Sequence, residues 1–241
     1  MSAYVIEPPP VTAIPVHGRD ASFPVRRVYC VGRNYAEHAR EMGFSDRDPP
    51  FFFGKPADSV VAVPGSTSGT LEYPDRTQDY QHEIELVAAI GRAGRDIPAG
   101  QALHHVWGYA VGLDMTRRDR QIELRQQGRP WEVGKSFDRS AVVGPLQPAS
   151  RIGHPRAGAI RLSVNGQLRQ QSDISVLIWN VAEIVSHLSQ WFELQPGDLV
   201  FTGTPAGVGP VMPGESLHGV IDGVGELRVD VLPCCRGVGS A

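Results

Sequence analysis

The sequence has few cysteines, no long apolar run and no block of basic residues, and each absence excludes a class of protein. Cys30, Cys234 and Cys235 are its only cysteines, and their spacing matches neither a zinc site nor a disulfide framework. No apolar stretch reaches the roughly 18 residues that span a bilayer, and the N-terminus does not resemble a signal peptide. The net charge is −3 without a Lys/Arg cluster. We therefore expect a cytoplasmic protein without a nucleic-acid or membrane partner.

Three common enzyme signatures are also missing. Residues 134–136, Gly-Lys-Ser, resemble the end of a phosphate-binding loop, but Arg129 stands where that motif requires glycine. The glycines within 203–209 follow an expected strand without leading into a helix, which argues against a dinucleotide fingerprint. The chain contains no Gly-x-Ser-x-Gly elbow of a serine hydrolase.

The composition that remains is that of a globular protein rich in turns. Of 241 residues, 41% are hydrophobic and 20% charged, and 27 glycines with 20 prolines favour many short strands over a helical bundle. We expect a Pro-rich arm over residues 1–24 and a single domain over residues 25–241.

Local patterns predict the main elements of that domain. Predicted strands cover residues 25–31, a buried aromatic stretch at 51–56, and 198–202, 216–221 and 226–232. Predicted helices cover residues 35–42, 99–105, 116–127 and 178–190. Asn165-Gly166 within 161–169 predicts a hairpin.

Glu83 and Glu85 lie at the start of the mostly apolar run 82–90. Residues two apart in a strand point to the same face, so the two carboxylates would project together. Like charges at the edge of a core repel each other and lose hydration, which is costly unless a counter-ion neutralises them. A divalent metal would do so; the alternative is a strand end that reaches solvent.

Asp114 stands near the end of a second mostly apolar stretch, residues 107–116, and would add a third carboxylate. An all-oxygen ligand set without Cys or His suits a hard cation such as Mg²⁺, Mn²⁺ or Ca²⁺ and does not suit zinc. Residues 115–121 also read as a helix start, so Asp114 has a second interpretation as a helix cap. One residue could serve both purposes.

His38 and Glu41 form a third candidate group. With Asn34 as N-cap and Gly43 as the stop, residues 35–42 make a short helix on which His38 and Glu41 share one face. A carboxylate beside an imidazole orients it and raises its basicity, as a water-activating base requires. The alternative is an incidental surface pair.

Six segments occur in order and together resemble the fumarylacetoacetate hydrolase family. They are VGRNYAEHAREM (31–42), EIELV (83–87), GLDMTRRDRQ (112–121), GKSFD (134–138), VNG (164–166) and GDLVFTGTPAGVG (197–209). The resemblance runs from about residue 24 almost to the C-terminus. Within the family, the Pro-rich arm and GRPWEVGKSFD (128–138) are most similar to the bacterial fumarylpyruvate hydrolases of gentisate breakdown.

The resemblance implies an α+β, β-rich fold, a rolled mixed β-sandwich with short flanking helices, usually paired as a homodimer. It implies Glu83, Glu85 and Asp114 as metal ligands, in agreement with the charge argument. His38 and Glu41 are similar to the family's water-activating dyad, carried on a lid.

The same resemblance assigns the substrate side. Lys135 and Gln121 match positions that contact the substrate or the developing oxyanion. Arg33 and Thr204 match positions that can hold a substrate carboxylate. The implied partner is therefore a small-molecule diacid, and the implied cofactor is Mg²⁺ or Mn²⁺, with Ca²⁺ as a stand-in in a crystal.

The expected activity is metal-dependent hydrolysis of the C–C bond of a 3-acylpyruvate, with fumarylpyruvate giving fumarate and pyruvate. The alternative uses the same site for decarboxylation of oxaloacetate, or for decarboxylation or isomerisation of a hydroxymuconate-type diacid. The His38–Glu41 pair favours hydrolysis, because only hydrolysis needs an activated water. A non-catalytic diacid-binding protein is a third interpretation, against which the same pair argues.

Overall fold

The structure is a computed structural model that describes residues 4–35, 48–65 and 67–234. Its strands are β1 Ala13–Pro15, β2 Ser22–Pro24, β3 Arg27–Gly32, β4 Phe51–Lys55, β5 Val60–Ala62, β6 Gly69–Glu72, β7 Tyr80–His82, β8 Ile84–Ile90, β9 Val106–Asp114, β10 Thr116–Arg117, β11 Ala141–Val143, β12 Gln147–Pro148, β13 Ala159–Val164, β14 Gln167–Asp173, β15 Asp198–Phe201, β16 Gly209–Pro210, β17 Ser216–Ile221 and β18 Gly225–Leu232. Its α-helices are α1 Ala99–Ala102, α2 Arg118–Gln126, α3 Glu132–Lys135, α4 Ala149–Ile152 and α5 Val181–Trp191. Short 3₁₀ helices cover Ala57–Ser59, Leu103–His105 and Ile174–Val176.

The largest sheet has the strand order β4-β3-β15-β8-β9-β11-β5, with β12 paired to β9. It is mixed, because β3–β15 and β11–β5 are parallel whereas β8–β9 is antiparallel. A five-stranded sheet, β14-β13-β17-β18-β6, packs against it. The expected α+β fold, a rolled mixed β-sandwich with short helices, is confirmed.

Strand β8 separates two apolar clusters, and its side chains point alternately to one cluster and to the other. Leu86 and Ala88 belong to the cluster shared with the five-stranded sheet and α5. Val87 and Ala89 face the other cluster. Glu85 shares the face of Val87 because residues two apart in a strand point the same way.

The N-terminal arm contributes to the second cluster. Strands β1 and β2 pair antiparallel, and they bury Ile14 and Phe23 against residues of the largest sheet. The Phe23 ring lies 5.4 Å from the ring of Trp107. The arm is thus packed through apolar contacts, while the division of the chain at residue 24 stays a prediction.

Two elements confirm predictions made from local chemistry. Asn165 and Gly166 both have positive φ, 49° and 75°, as the tight turn between β13 and β14 requires. Helix α5 begins after Asn180, which forms a capping box with Glu183, so it starts three residues later than expected.

The helix expected from residue 116 begins two residues later. Thr116 and Arg117 pair with Gln81 and Tyr80 as strand β10, and the N-cap of α2 is Arg117. The interpretation of Asp114 as the cap of this helix is therefore wrong. No helix among the described residues is long and apolar enough to cross a membrane.

Candidate active site

Three buried carboxylates meet at one end of the largest sheet. Glu83 precedes β8, Glu85 lies within it, and Asp114 ends the neighbouring β9. The backbone N–H of Asp114 donates to the backbone carbonyl of Glu83 at 2.9 Å. One oxygen of each carboxylate lies within 4.8 Å of an oxygen of the others. All three side chains are buried, so the alternative of a strand end that reaches solvent does not hold.

Basic side chains from distant parts of the chain enter this cluster. Lys135 Nζ lies 2.7 Å from Glu83 Oε2 and 2.8 Å from Asp114 Oδ2. Lys55 Nζ lies 2.8 Å from Asp114 Oδ1, and the Arg118 guanidinium donates to Glu83. The sequence analysis offered a divalent metal as the counter-ion and did not identify these cations, because they are remote in sequence from the carboxylates.

The two lysines are anchored to each other as well as to the carboxylates. Lys55 Nζ donates to the backbone carbonyl of Lys135. The third proton of the Lys135 ammonium goes to Thr116 Oγ1 at 2.7 Å. Burial lowers the pKa of Lys135, but the Asp114 and Glu83 carboxylates outweigh burial and raise it, so the ammonium stays charged.

The pKa values of Glu83 and Glu85 are shifted in opposite directions. Burial raises the pKa of Glu83, but Lys135 and Arg118 more than compensate and leave that pKa below its usual range. Burial, with the charges of Asp114 and Glu83, raises the pKa of Glu85 well above its usual range. Among the described residues, Glu85 is therefore the carboxylate of the cluster whose ionised form lacks a counter-charge.

Glu85 has a backbone donor but no cation among the described residues. Its Oε2 accepts the N–H of Gly203 at 2.6 Å, and no basic side chain in the described part of the chain lies within ion-pair distance of it. Gly203 has φ 99°, a conformation that favours glycine. An oxygen-only cluster with one uncompensated carboxylate fits a hard divalent cation.

A narrow cleft of about 40 Å³ opens onto the carboxylates. Its lining includes Arg33, Arg118, Gln121, Lys135 and Thr204. The structure thus brings together every described residue that the sequence assigns to the metal or the substrate. The structure adds Arg118 to the residues predicted from the sequence, because its side chain contacts Glu83 and lines the cleft.

Hydrogen bonding fixes which end of the Gln121 amide can act on a substrate. The Arg118 guanidinium donates to Gln121 Oε1. Because a guanidinium has no acceptor, the amide must turn its oxygen towards Arg118, which leaves the NH₂ group as the end that can donate to a substrate oxygen.

Hydrogen bonding also fixes the donor role of the Thr204 hydroxyl, through Gln170, a residue that the sequence analysis missed. Buried Gln170 accepts the backbone N–H of Ile84 at 3.1 Å and bonds His82 Nδ1 at 2.8 Å. Its Nε2 donates to Thr204 Oγ1 at 2.8 Å and to the Pro205 carbonyl at 2.9 Å. Thr204 Oγ1 is then an acceptor from Gln170, and its own proton is available for a substrate oxygen.

His38 and Glu41 lie outside the described residues, as does the expected helix 35–42 beyond Tyr35. The chain is described again from Asp48, whose carbonyl accepts from Trp179 Nε1 at 3.3 Å. Asn34, the expected N-cap, donates to the carbonyls of Trp179 and Thr202 at 2.8 Å each. The role of the pair stays a prediction.

Aromatic side chains form the remaining wall of the cleft. Phe51 and Phe53 are on β4, and Trp131 immediately precedes α3. The sequence analysis read residues 51–56 as a buried strand, whereas both phenylalanines are only half-buried. The available signal was that Phe51, Phe53 and Lys55 follow one another at intervals of two residues, which places them on one face of a strand.

The chain matches known proteins over most of its length. The profile of the fumarylacetoacetate (FAA) hydrolase C-terminal family matches residues 27–232. A crystal structure of fumarylpyruvate hydrolase from Pseudomonas aeruginosa in complex with Mn²⁺ and pyruvate is 62% identical, with a TM-score of 0.94, and covers 96% of this chain and 100% of that one.

Two curated relatives carry different activities. Fumarylpyruvate hydrolase of a Ralstonia species is 44% identical over 183 residues, which are 76% of this chain and 93% of the relative. The mitochondrial oxaloacetate decarboxylase of Dictyostelium discoideum is 36% identical over 208 residues, which are 86% of this chain and 94% of the relative. On the extent of these matches, and on the fold already described, the chain belongs to the fumarylacetoacetate hydrolase family.

Proposed function

We propose that this protein is a divalent-metal-dependent hydrolase that cleaves the C–C bond of a 3-acylpyruvate, with fumarylpyruvate as its substrate. The observation that carries the proposal is the buried cluster of Glu83, Glu85 and Asp114 opening into a cleft lined by Arg33 and Arg118. Carboxylates at the base suit a metal, and guanidinium groups on the wall suit an anionic substrate.

The metal belongs at the three carboxylates, and Mg²⁺ or Mn²⁺ is the proposed ion. When bound there, the cation supplies Lewis-acid stabilisation of the negative charge that develops on the pyruvate fragment. The Mn²⁺ and pyruvate in the Pseudomonas aeruginosa structure support a divalent ion and a pyruvate-type ligand. We also propose a homodimer and a cytoplasmic location.

Side-chain donors of the protein would form hydrogen bonds with the negatively charged oxygens of the substrate. Gln121 presents its NH₂ group, because Arg118 takes the amide oxygen. Thr204 presents its hydroxyl proton, because Gln170 donates to its oxygen. Lys135 would have to exchange one of its present contacts to reach a substrate oxygen, since all three of its protons are already accepted within the cluster.

Water activation is assigned to His38, with Glu41 orienting its ring. The imidazole would take a proton from water as the oxygen attacks the distal acyl carbonyl. Cleavage of the adjacent C–C bond would then give the free acid and the enolate of pyruvate, to whose carbon the proton returns.

A product assay tests the proposal. Purified protein is stripped with a chelator and supplied with fumarylpyruvate, maleylpyruvate, acetylpyruvate or oxaloacetate, with and without Mg²⁺, while pyruvate and the released acid are quantified. We expect Mg²⁺-dependent release of equal amounts of fumarate and pyruvate, and no such release by Glu85→Gln. Consumption of oxaloacetate alone would overturn the proposal.

Decarboxylation of oxaloacetate is the second candidate, and the Dictyostelium relative supports it. It would use the same carboxylates and the same stabilised enolate, but it needs no activated water. The variant His38→Ala distinguishes the two candidates. It would lose hydrolysis of fumarylpyruvate and retain decarboxylation of oxaloacetate. An enzyme specific for a hydroxymuconate-type diacid would release neither pyruvate nor fumarate from the four substrates of the assay.

A further inference from the structure

We propose that Phe51, Phe53 and Trp131 form an aromatic subsite, and that this subsite binds the planar, conjugated acyl arm of the substrate. The subsite would make the enzyme prefer unsaturated acylpyruvates to acetylpyruvate and to oxaloacetate. The inference rests on the proposed function, because it names the part of an acylpyruvate that the cleft selects.

Strand β4 aligns the first two rings with the carboxylates. Phe51, Phe53 and Lys55 alternate along the strand, so their side chains point to one face. Lys55 Nζ is 2.8 Å from Asp114 Oδ1, which ties the inner end of this row to the metal-ligand cluster. The two rings therefore continue outwards from the carboxylates along the cleft.

Helix α3 repeats the same arrangement from the other side. Lys135 at its end contacts Glu83 and Asp114, while Trp131 stands just before its first residue. The Trp131 ring lies 5.4 Å from the Phe51 ring, edge to face at 88°, and 5.9 Å from the Phe53 ring. Two separate elements thus each bring one lysine to the carboxylates and aromatic surface to the cleft.

The rings are only half-buried, and their position is constrained by the backbone. All three line the same cleft as the carboxylates, and each keeps part of its surface exposed. Phe51 lies directly over Gly32, where a Cβ would come within 1.9 Å of its ring. A larger residue at position 32 would displace this ring, so the glycine is what allows Phe51 to lie at this point of the cleft.

Cations stand at both ends of this wall. Lys135 Nζ is 5.4 Å from the centre of the Phe53 ring, and the Arg33 guanidinium is 5.2 Å from the centre of the Phe51 ring. A ligand that lies along the rings would meet a positive charge at each end. The arrangement matches a dianion whose two carboxylates are joined by a flat, apolar linker.

This geometry discriminates between substrates by their acyl arms. The enol of fumarylpyruvate carries its conjugation to a second carboxylate, so it can lie against all three rings. Acetylpyruvate ends in a methyl group, and oxaloacetate has a carboxylate in the place of the acyl group. Flat conjugated groups gain contact with aromatic faces beyond what their area alone provides.

Steady-state kinetics of Trp131→Leu test the subsite. We expect kcat/KM for fumarylpyruvate to fall by about tenfold more than kcat/KM for acetylpyruvate, the order expected for one lost aromatic contact. Trp131→Phe should restore most of the difference. Trp191→Leu is the matched control, because Trp191 is 73% exposed on α5 and does not line the cleft.

A binding measurement separates this inference from the proposed function. Calorimetry with fumarate and succinate compares two dianions of equal length, of which only fumarate is flat. We expect the wild type with Mn²⁺ to bind fumarate several-fold more tightly and Trp131→Leu to bind both about equally. This result supports the subsite even if fumarylpyruvate is not hydrolysed.

The opposite combination overturns the subsite and leaves the proposed function intact. It would consist of wild-type hydrolysis of fumarylpyruvate, equal losses on fumarylpyruvate and acetylpyruvate in Trp131→Leu, and no preference of the wild type for fumarate over succinate.

Discussion

Replacing Glu85 by glutamine should stabilise the metal-free protein and abolish its response to metal. Glu85 is 2% exposed and bonds the Gly203 N–H, but no cation among the described residues compensates its charge. Glutamine has the same shape and keeps a carbonyl oxygen for Gly203, so the substitution removes the free-energy cost of protonating or burying this carboxylate without opening a cavity. We expect the metal-free variant to gain on the order of 2 kcal/mol at neutral to alkaline pH.

The gain should depend on pH in a defined direction. Burial, together with Asp114 and Glu83, raises the pKa of Glu85, so folded protein holds a proton that the unfolded chain has released. This contribution to wild-type stability is present below the usual Glu pKa and is lost as pH rises through the folded pKa. Glu85→Gln should therefore match the wild type at about pH 4 and exceed it at about pH 8.

Thermal unfolding of chelator-treated protein measures both effects. A gain of about 2 kcal/mol corresponds to a Tm increase of about 4–8 °C for a chain of this size. Mg²⁺ at a hundred times its Kd should stabilise the wild type by about 2.7 kcal/mol and leave Glu85→Gln unchanged. The reasoning is refuted if the metal-free variant is less stable at about pH 8, or if Mg²⁺ raises its Tm as much as that of the wild type.

Asp198→Asn is the matched control, because Asp198 is also fully buried but is fully paired. Its carboxylate lies 3.2 Å from Arg26 Nη1 and 3.0 Å from Arg27 Nη2, and it accepts the Gln195 N–H at 2.9 Å. Removing this charge should destabilise the protein, and the stabilisation by Mg²⁺ should remain. Opposite signs at two buried carboxylates would separate charge compensation from a general effect of amide substitution.

Three further outcomes test the substrate side of the cleft. Arg33→Ala should reduce kcat/KM for fumarylpyruvate more than for acetylpyruvate, which lacks the distal carboxylate, and equal losses would move Arg33 to the shared pyruvate end. His38→Ala should lower kcat by roughly 10²–10⁴ while Mg²⁺ binding, measured by calorimetry, persists, and Glu41→Gln should have a smaller effect in the same direction. Gln170→Leu should raise KM for pyruvate-containing substrates through Thr204, so the same substitution should add little in a Thr204→Val background.

Local sequence chemistry was sufficient where neighbouring residues decide the structure. The Asn165-Gly166 turn formed as its pattern indicated, because it depends on residues within a few positions. Helix α5 also formed, but the capping box of Asn180, which the sequence analysis did not identify, starts it three residues later than expected. Glu83 and Glu85 came together because alternation along a strand is a local property. Local pattern was not sufficient at Thr116. The pattern predicted a helix from this residue, but Thr116 instead pairs with Gln81 in a neighbouring strand.

The amino-acid sequence by itself determined the chemistry of this protein: a carboxylate set suited to a hard cation, a strand-rich fold and a family signature. Only the tertiary structure decided the electrostatics of the site. Lys55, Lys135 and Arg118 come from separate elements, and their convergence leaves Glu85 as the carboxylate of the cluster that no cation among the described residues compensates. The physical reason is range: strand alternation and capping act over a few residues, whereas charge compensation depends on distances between side chains that only the folded sheet brings together.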